Sequence, residues 1–411
     1  MQTYLVGGAV RDRLLGLPVR ERDWVVVGAT PGELAALGYR RVGASFPVYL
    51  HPQTGEEHAL ARTERKTGPG YRGFSVNADP GVTLEEDLRR RDLTINAMAE
   101  DSAGRLVDPY GGQADLAGRQ LRHVSEAFRE DPVRILRVAR FAARFHALGF
   151  SVAPETLQLM RAMVAAGEVM ALVAERVWQE TESALATARP DIYFSVLRQC
   201  GALAVIFPEV DALWGVPQPQ QWHPEIDTGV HLLMALEQGA RLSAKAEVRF
   251  AVLVHDLGKG TTPRDLWPKH TAHEERSVEL TLALCQRLGV PNRFRDLGVV
   301  VARYHGLAHR ALELRPATLL SVLEGVDAFR RPDRLEDFVV ACEADSRGRL
   351  GLAEVPYPQG TLLRVARQAA ATINVAALTA RSLDGEALRE AIRQARTRAI
   401  AGARAAFHAA P

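Results

Sequence analysis

The sequence predicts an α+β protein, with a mixed N-terminal head followed by a long helical remainder. In the first 125 residues, short β-rich apolar runs alternate with helical patterns and are bounded by Gly, Pro or charged residues. From about Asp131 onward, Ala-, Leu- and Arg-rich segments with helical periodicity dominate, and prolines interrupt them. The length of 411 residues is too great for one simple domain.

The head contains three predicted strands, at residues 4–6, 24–27 and 48–50. Thr83 and Glu86 have the spacing of a capping box, which predicts a helix that begins after Thr83. Residues 62–81 are rich in glycine and charge, and we predict a mobile active-site loop there.

The helical remainder is divided by proline-containing breaks. Residues 215–224 are the best linker candidate, and a second break at 355–360 precedes an Ala- and Arg-rich helical tail. We therefore predict four segments: a head at 1–125, a helical neck and body at 126–222, a histidine-rich domain at 223–350 and a helical tail at 351–411.

The composition excludes several classes of protein. The 51 basic and 49 acidic residues leave a net charge of +2, which argues against a protein that coats polyanions by bulk charge. Cys200, Cys285 and Cys342 have no paired spacing, so we expect a reducing compartment and no disulfide framework or zinc–cysteine site. We also expect no signal peptide and no membrane span, and we predict a cytoplasmic protein.

A glycine pair and two acids mark the start of the head. Gly7 and Gly8 stand between a strand and a helix that carries Arg11, an arrangement that lets a phosphate approach backbone N–H groups. Glu21 and Asp23 are two residues apart at a strand entrance, so both carboxylates can reach Mg²⁺. A plain turn and two solvated acids are the alternatives, and the combination of the two features favours a nucleotide site.

Arginines are concentrated in two further segments. Arg91, beside Asp92 at the end of the run Arg89–Arg90–Arg91, is a candidate reader of a triphosphate, and a solvated charge run is the alternative. Asp131 and Pro132 predict the N-cap and first residue of a helix. On that helix four arginines share about a third of the circumference without a neighbouring acid, which favours a phosphate-binding face over a surface stripe. They are Arg134, Arg137, Arg140 and Arg144.

The histidines are clustered too. Seven of the 12 fall between His223 and His309, and His255 is followed directly by Asp256. Imidazole and carboxylate ligands without thiolate suit Mg²⁺, Mn²⁺, Co²⁺ or Ni²⁺ with a position open for a water nucleophile.

Five motifs, in order along the chain, resemble those of class II tRNA nucleotidyltransferases, the CCA-adding enzymes. These enzymes share a polymerase-β-like head with bacterial poly(A) polymerases. The motifs are GGAVRD at 7–12, ERD at 21–23, RRDLTINA at 90–97, DPYGG at 108–112 and EDPVR at 130–134. Glu175–Arg176 is similar to a later helical motif of the same family.

The resemblance implies a role for each matched position. It implies that Glu21 and Asp23 hold the catalytic Mg²⁺, with Glu21 standing where many members carry Asp. It implies that Asp131 and Arg134 act as a protein template that accepts C and A and refuses U and G. The residues implied to bind the incoming CTP or ATP are Gly8, Arg11, Arg91, Arg137 and Arg140.

The histidine-rich region resembles the HD phosphohydrolase domain, whose pattern is His, then His–Asp, then a distant Asp. His231, His255 and Asp256 match this pattern, Asp345 is our choice for the last ligand, and Asp327 is the alternative. The resemblance implies phosphatase, 2′,3′-cyclic phosphodiesterase and 2′-nucleotidase activity with a divalent metal, either Ni²⁺, Mn²⁺, Co²⁺ or Mg²⁺.

The leading hypothesis is therefore template-independent addition and repair of the 3′-terminal CCA of tRNA from CTP and ATP, with release of pyrophosphate. We expect tRNA as the partner and a monomer or homodimer. A poly(A) polymerase-like enzyme is the closest alternative. A regulator that nucleotidylylates a protein, and an RNA-binding module with an inactive head, are the others.

Overall fold

The computed structural model describes residues 1–42, 48–66, 74–379 and 384–409, and it confirms the α+β fold class. The chain divides into two compact units. The first comprises Met1–Thr181 and Val196–Ile206, and the second comprises Glu182–Ser195 and Phe207–Pro411. Every strand in the described part of the chain lies in the first unit. The division into four segments stays a prediction.

The first unit is built around a mixed sheet of seven strands in the order β3-β4-β5-β2-β1-β8-β9. Only β2 and β5 are parallel neighbours. The strands are β1 (Gln2–Val6), β2 (Asp23–Val27), β3 (Arg40–Val42), β4 (Val48–Leu50), β5 (Glu57–Leu60), β8 (Ala99–Glu100) and β9 (Leu106–Val107). The three predicted strands are confirmed as β1, β2 and β4.

The sheet buries side chains on both faces, because successive residues of a strand point to opposite sides. Val25 of β2 packs in one apolar cluster with Val6 and Leu88. Val26, the next residue, packs in another cluster with Leu34 and Tyr49. The head is therefore anchored from both faces of its central strand.

Strand register places the candidate site at one edge of this sheet. In the antiparallel pair of β1 and β2, the last residue of β1, Val6, lies opposite the first residue of β2, Asp23. The Gly7–Gly8 turn after β1 and the acids at the start of β2 therefore lie at the same edge.

The helices of the first unit follow the predicted signals with small shifts. The capping box is confirmed: Glu86 N donates to Thr83 Oγ1 at 3.2 Å, and Thr83 N donates to the Glu86 carboxylate at 2.9 Å. The helix predicted to begin at Pro132 begins at Val133, although the Asp131 carboxylate still accepts from Val133 N at 3.1 Å. The helices that lie wholly in the first unit are α1 (Gly8–Leu14), α2 (Pro31–Ala36), α3 (Leu84–Arg89), α4 (Gly112–Ala117), α5 (Val133–Phe145), α6 (Pro154–Ala165) and α9 (Ala202–Ile206). Helices α7 (Ala174–Leu185) and α8 (Pro190–Gln199) have residues in both units.

Two predictions about irregular and helical regions need correction. The predicted loop at 62–81 contains an antiparallel pair of strands, β6 (Thr63–Lys66) and β7 (Phe74–Asn77), and residues 67–73 lie outside the described part. The remainder predicted to be all helical contains β11 (Ser151–Val152), which pairs in parallel with β10 (Gln120–Leu121).

The second unit is helical and is organised around one buried helix, α12. Seven of its nine residues, 248–254, are buried, including the cation Arg249, and such burial is typical of a core helix. This helix contacts α11, α14 and α16. The helices are α10 (Pro208–Asp211), α11 (Thr228–Leu242), α12 (Ala246–Val254), α13 (His273–Leu288), α14 (Asn292–His309), α15 (Pro316–Gly325), α16 (Pro332–Arg347), α17 (Pro358–Ala371), α18 (Val375–Thr379) and α19 (Gly385–Ala409).

Three other expectations can be compared with the structure. Residues 215–224, predicted as a linker, lie within the second unit, where Gln218 is buried and accepts from Lys259 Nζ at 2.6 Å. Cys200, Cys285 and Cys342 are buried free thiols. Among the described residues, no helix is long and apolar enough to cross a membrane.

Candidate functional site

The first unit contains a cleft of about 610 Å³ that brings together all nine predicted head residues. They come from the glycine turn, the start of β2, the end of α3 and the first two turns of α5. The nine are Gly8, Arg11, Glu21, Asp23, Arg91, Asp131, Arg134, Arg137 and Arg140. The volume is within the usual range for a nucleotide-sized ligand.

The glycine turn makes room for two guanidinium groups. Gly7 has a φ of +67°, and a Cβ at this position would lie 2.8 Å from Nη1 of Arg91. A Cβ on Gly8 would lie 3.4 Å from Nη2 of Arg11. The absence of side chains at both positions therefore lets Arg91 and Arg11 approach the backbone of the turn.

We expect Gly7→Ala to reduce nucleotidyl transfer by about 10- to 100-fold, because the new Cβ displaces Arg91 from the cleft. Gly16→Ala is the matched control, since Gly16 has a φ of +68° and a Cβ added there would meet no atom within 4 Å. Both variants should lose about 1–2 kcal/mol of unfolding free energy from the left-handed backbone. Steady-state kinetics and thermal unfolding test this, and equal activity losses would contradict it.

The two acids stand at the edge of the cleft. Asp23 is the first residue of β2, whereas Glu21 precedes the strand, so the alternation expected for two strand residues does not apply to Glu21. The pKa of Asp23 is raised above its usual value. Loss of surrounding water is the main cause; Arg91 opposes the increase, and the negative charge of Glu21 adds to it. Two repelling carboxylates open to the cleft are the oxygen ligands that Mg²⁺ accepts.

The arginines of α5 are neutralised by acids that are distant in sequence, which corrects the expectation of an unpaired stripe. Arg137 Nε donates to Asp92 Oδ2 at 2.7 Å. Arg140 binds the carboxylate of Glu180, and Arg144 Nη2 lies 2.9 Å from Oδ2 of Asp12. The sequence analysis connected none of these acids with α5, because nothing in the local pattern relates them to that helix.

Burial of Arg11 and of Asp92 is compensated by specific partners. Arg11 Nε donates to Asp12 Oδ1 at 2.7 Å, and its guanidinium lies 5.0 Å from the ring centroid of Phe145. Burial raises the pKa of Asp92, but Arg137 and the hydrogen bond from Asn96 outweigh it and hold the pKa well below its usual value. Both charges are therefore retained in the folded protein.

The run of three arginines is stabilised by a buried acid on the preceding turn. Asp87 accepts from Arg90 Nη2 at 2.7 Å and from Arg91 Nη2 at 3.3 Å. Arg89 is exposed. The repulsion among the three adjacent arginines is therefore relieved by the protein itself, and the i,i+3 and i,i+4 spacing of Asp87 was visible in the sequence.

The two residues implied to form the protein template are held firmly. Arg176 of α7 donates from Nη1 to Asp131 Oδ1 at 3.0 Å and from Nη2 to Oδ2 at 2.7 Å. Arg134 is buried, and its guanidinium donates to Ala127 O at 2.7 Å and to Arg90 O at 2.6 Å. Arg176 belongs to a motif noted in the sequence, but no role was assigned to it there.

A second candidate site lies in the second unit, where five helices converge. His231 lies on α11, and His255 and Asp256 follow α12 directly. Asp345 of α16 lies 2.9 Å from His231 Nε2 and 3.6 Å from His255 Nε2. Asp327, the alternative ligand, instead accepts from Arg330 Nε at 2.7 Å at the surface.

Further histidines complete this cluster. His273 at the start of α13 and His305 of α14 place their Nε2 atoms 3.2 Å and 3.4 Å from Asp256 Oδ1. His309 Nε2 lies 2.6 Å from Asp345 Oδ2. His270 contacts Thr262 Oγ1 and the backbone oxygen of Pro217 instead.

Hydrogen bonds at Nδ1 of three histidine rings indicate that the other ring nitrogen, Nε2, faces the centre of the cluster. A backbone oxygen only accepts, so a ring Nδ1 beside one must donate, and Nε2 of the neutral ring then keeps its lone pair. Among the described residues, His255 Nε2 and Asp256 Oδ1 are buried without a hydrogen-bond partner. The Nδ1 contacts are His255 to Val252 O (2.7 Å), His273 to His270 O (2.9 Å) and His305 to Val301 O and Ala302 O (3.1 Å).

A cluster of inward-facing lone pairs is the donor set of a metal centre. Ligand atoms of several His and Asp combinations lie within 4.8 Å of one another, including those of His231, His255 and Asp256. Burial lowers the pKa of His255, but Asp256 and Asp345 outweigh it and raise the pKa to about 10. The two carboxylates therefore favour positive charge at this position, and a divalent cation would take the place of a proton on His255.

We expect saturating Ni²⁺ or Mn²⁺ to raise the unfolding temperature by about 5 °C or more, because a cation that binds only the folded state stabilises it. Asp345→Asn should remove this increase, whereas Asp327→Asn should retain it. Thermal unfolding with and without a chelator measures the effect. Loss of the increase in Asp327→Asn alone would contradict the choice of Asp345.

Comparison with family models agrees with this arrangement of sites. Residues 3–122 match the poly A polymerase head domain. Residues 149–213 match the probable RNA- and SrmB-binding site of polymerase A, and residues 228–341 match the HD domain. Asp345 lies four residues beyond that last match.

Comparison with whole proteins decides the family. The chain is 66% identical over 400 residues to the multifunctional CCA protein of Thioalkalivibrio sulfidiphilus, covering 97% of this chain and 98% of that protein. It is 63% identical over 400 residues to the multifunctional CCA protein of Nitrosococcus oceani, with the same coverage. The chain belongs to the multifunctional CCA protein family. The head match alone could not separate this family from poly(A) polymerases, whereas the full-length matches do.

Solved structures of CCA-adding enzymes share the fold of this family member. A CCA-adding enzyme with CTP aligns with a TM-score of 0.64 at 20% identity, covering 97% of this chain and 87% of that chain. The Thermotoga maritima CCA-adding enzyme in complex with tRNA aligns with a TM-score of 0.63 at 19% identity, covering 98% and 87%. At this identity the likeness establishes the fold alone.

Proposed function

We propose that the chain adds and repairs the 3′-terminal CCA of tRNA without a nucleic-acid template, using CTP and ATP and releasing pyrophosphate. The observation that carries this proposal is the single cleft in which the glycine turn, two acids and the arginines of α5 meet. The names of the relatives at 66% and 63% identity support CCA addition over the poly(A) polymerase alternative.

The two ends of the cleft have different chemistry. Glu21 and Asp23 would hold Mg²⁺, which when bound activates the attacking 3′ hydroxyl and neutralises charge on the leaving group. Arg11, Arg91, Arg137 and Arg140 would bind the triphosphate, and Gly8 would let it approach the backbone. In the structure these arginines are paired with acids, which hold them in position before a nucleotide arrives. The phosphates of the nucleotide would then replace the acids as partners of the arginines.

Asp131 and Arg134 would select the base. A carboxylate accepts from the exocyclic amine of C or A, and a guanidinium donates to ring acceptors. U and G present an oxygen where C and A present an amine, so the Asp131 carboxylate would repel them.

Incubation of purified protein with tRNA lacking CCA, and with each labelled nucleotide singly and together, tests this proposal. We expect two C residues from CTP, one A once CTP has been used, and no product from UTP or GTP. Incorporation of UTP would contradict the proposal, and long runs of A would favour the poly(A) polymerase alternative.

For the histidine cluster we propose a metal-dependent phosphohydrolase that removes phosphates, including 2′,3′-cyclic phosphates, from RNA 3′ ends. His231, His255, Asp256 and Asp345 would hold the cation, with Ni²⁺, Mn²⁺, Co²⁺ or Mg²⁺ as candidates. When bound, the cation would supply a water nucleophile of lowered pKa. Lys259 Nζ, 2.6 Å from Asp256 Oδ2, keeps that carboxylate ionised. The substrate tRNA is consistent with a cytoplasmic location.

A further inference from the structure

We propose that Arg176 is a specificity-determining positioning residue, which fixes the acceptor oxygen of Asp131 that selects C and A. This inference rests on the proposed template role of Asp131. It assigns to α7 a part in base selection, although Arg176 need not touch the nucleotide itself.

The contact between Arg176 and Asp131 restrains the carboxylate in both position and orientation. The two guanidinium nitrogens bind one carboxylate oxygen each, at 3.0 Å and 2.7 Å. Such a parallel pair is directional as well as strong, because the planar fork matches the plane of the carboxylate. The side chains are 28% and 21% exposed, so the pair is shielded but borders the cleft.

The Asp131 carboxylate has few lone-pair positions left to accept a hydrogen bond from a base. The two carboxylate oxygens offer about four lone-pair positions. Arg176 fills one on each oxygen, and Val133 N fills another on Oδ1 at 3.1 Å. Among the contacts of the described residues, one position is left, on Oδ2. A single oriented acceptor fits the amine of C or A and opposes the carbonyl oxygen of U or G.

The same helix also supports the phosphate-binding arginines. Glu180 stands one turn after Arg176 on the same face of α7, and it binds Arg140 and lies 3.8 Å from Arg137. Helix α7 therefore contacts both parts of the proposed nucleotide site: Arg176 binds the acid proposed to select the base, and Glu180 contacts arginines proposed to bind the triphosphate. A lysine at 176 would retain the charge but would lose the fork that sets the orientation of Asp131.

Arg176→Lys tests the inference, with kcat/KM measured separately for CTP and UTP on tRNA lacking CCA. We expect the preference for CTP over UTP to fall about 10- to 100-fold, which is the discrimination that one bidentate contact supplies. A purely structural role would lower both values by the same factor. An equal decrease, or an unchanged preference, would overturn the inference.

Two controls keep the test interpretable. Arg189→Lys alters a matched bidentate pair, 2.9 Å and 2.7 Å from Asp191, and should leave the preference unchanged. Thermal unfolding reports whether each variant folds, and Arg176→Gln replaces Arg176→Lys if the latter does not. Asp131→Asn is measured in parallel. If its preference for CTP over UTP is unchanged, the template proposal is contradicted. If its preference changes while that of the Arg176 variants does not, this inference alone is contradicted.

Discussion

Asp23→Asn is expected to reduce CCA addition by at least about a thousandfold. A bound Mg²⁺ supplies several kcal/mol of charge stabilisation in the transition state, and about 4 kcal/mol corresponds to this factor. The substitution keeps the shape of the side chain but removes the charge that holds the cation. Because β1 pairs with β2 directly beside Asp23, the fold itself should be retained.

Single-turnover incorporation of labelled CTP into tRNA lacking CCA measures this effect. Glu21→Gln should cause a similar loss, and Glu85→Gln, an exposed acid on α3 outside the cleft, should cause none. The phosphohydrolase activity of the same Asp23 preparation should remain normal. Substantial CCA addition by Asp23→Asn would contradict the metal-site proposal and would favour an RNA-binding module with an inactive head.

His255→Ala is expected to reduce hydrolysis of 2′,3′-cyclic phosphates by about a thousandfold or more while leaving CCA addition unchanged. The imidazole is completely buried among carboxylates, so its loss removes one ligand and leaves Asp256 and Asp345 facing each other. Without the cation, no water nucleophile of lowered pKa is available. The first-unit cleft contains none of these residues.

Initial rates for both activities should be measured on one preparation of the variant. His408→Ala, an exposed position near the end of α19, is the control and should retain both activities. Simultaneous loss of both activities in His255→Ala, with unchanged thermal unfolding, would refute two separable sites. Normal hydrolysis would show that the cluster is a structural feature.

Much of the head could be predicted because its signals are local. The glycine turn, the acids at the start of β2 and the arginines of α5 each lie in or next to the element that positions them. The pairs that neutralise those arginines could not be predicted, because Asp12 and Arg144 are 132 residues apart. A stripe of arginines at helical spacing shows which face of the helix is charged. It does not show which acids the fold places opposite that face.

In the histidine cluster, too, partners that are distant in sequence could not be predicted from local patterns. The adjacency of His255 and Asp256 was visible in the sequence, whereas the choice between Asp345 and Asp327 was not. Both aspartates are plausible by spacing, and only the packing of α16 against α11 and α12 brings Asp345 to the histidines. Asp327 lies at a positive φ of 62° at the surface, where its neighbour Arg330 binds it.

The fold class, the order of the motifs and the residue types available for chemistry can be predicted from the sequence, because periodicity, turns and adjacent side chains are local properties. The partners of those residues depend on the tertiary structure: strand register places Val6 opposite Asp23, helix α7 brings Arg176 to Asp131, and helix packing brings Asp345 to His231. Hydrogen bonds and ion pairs act only over a few ångströms. They therefore depend on distances in space that the distance along the chain does not reveal.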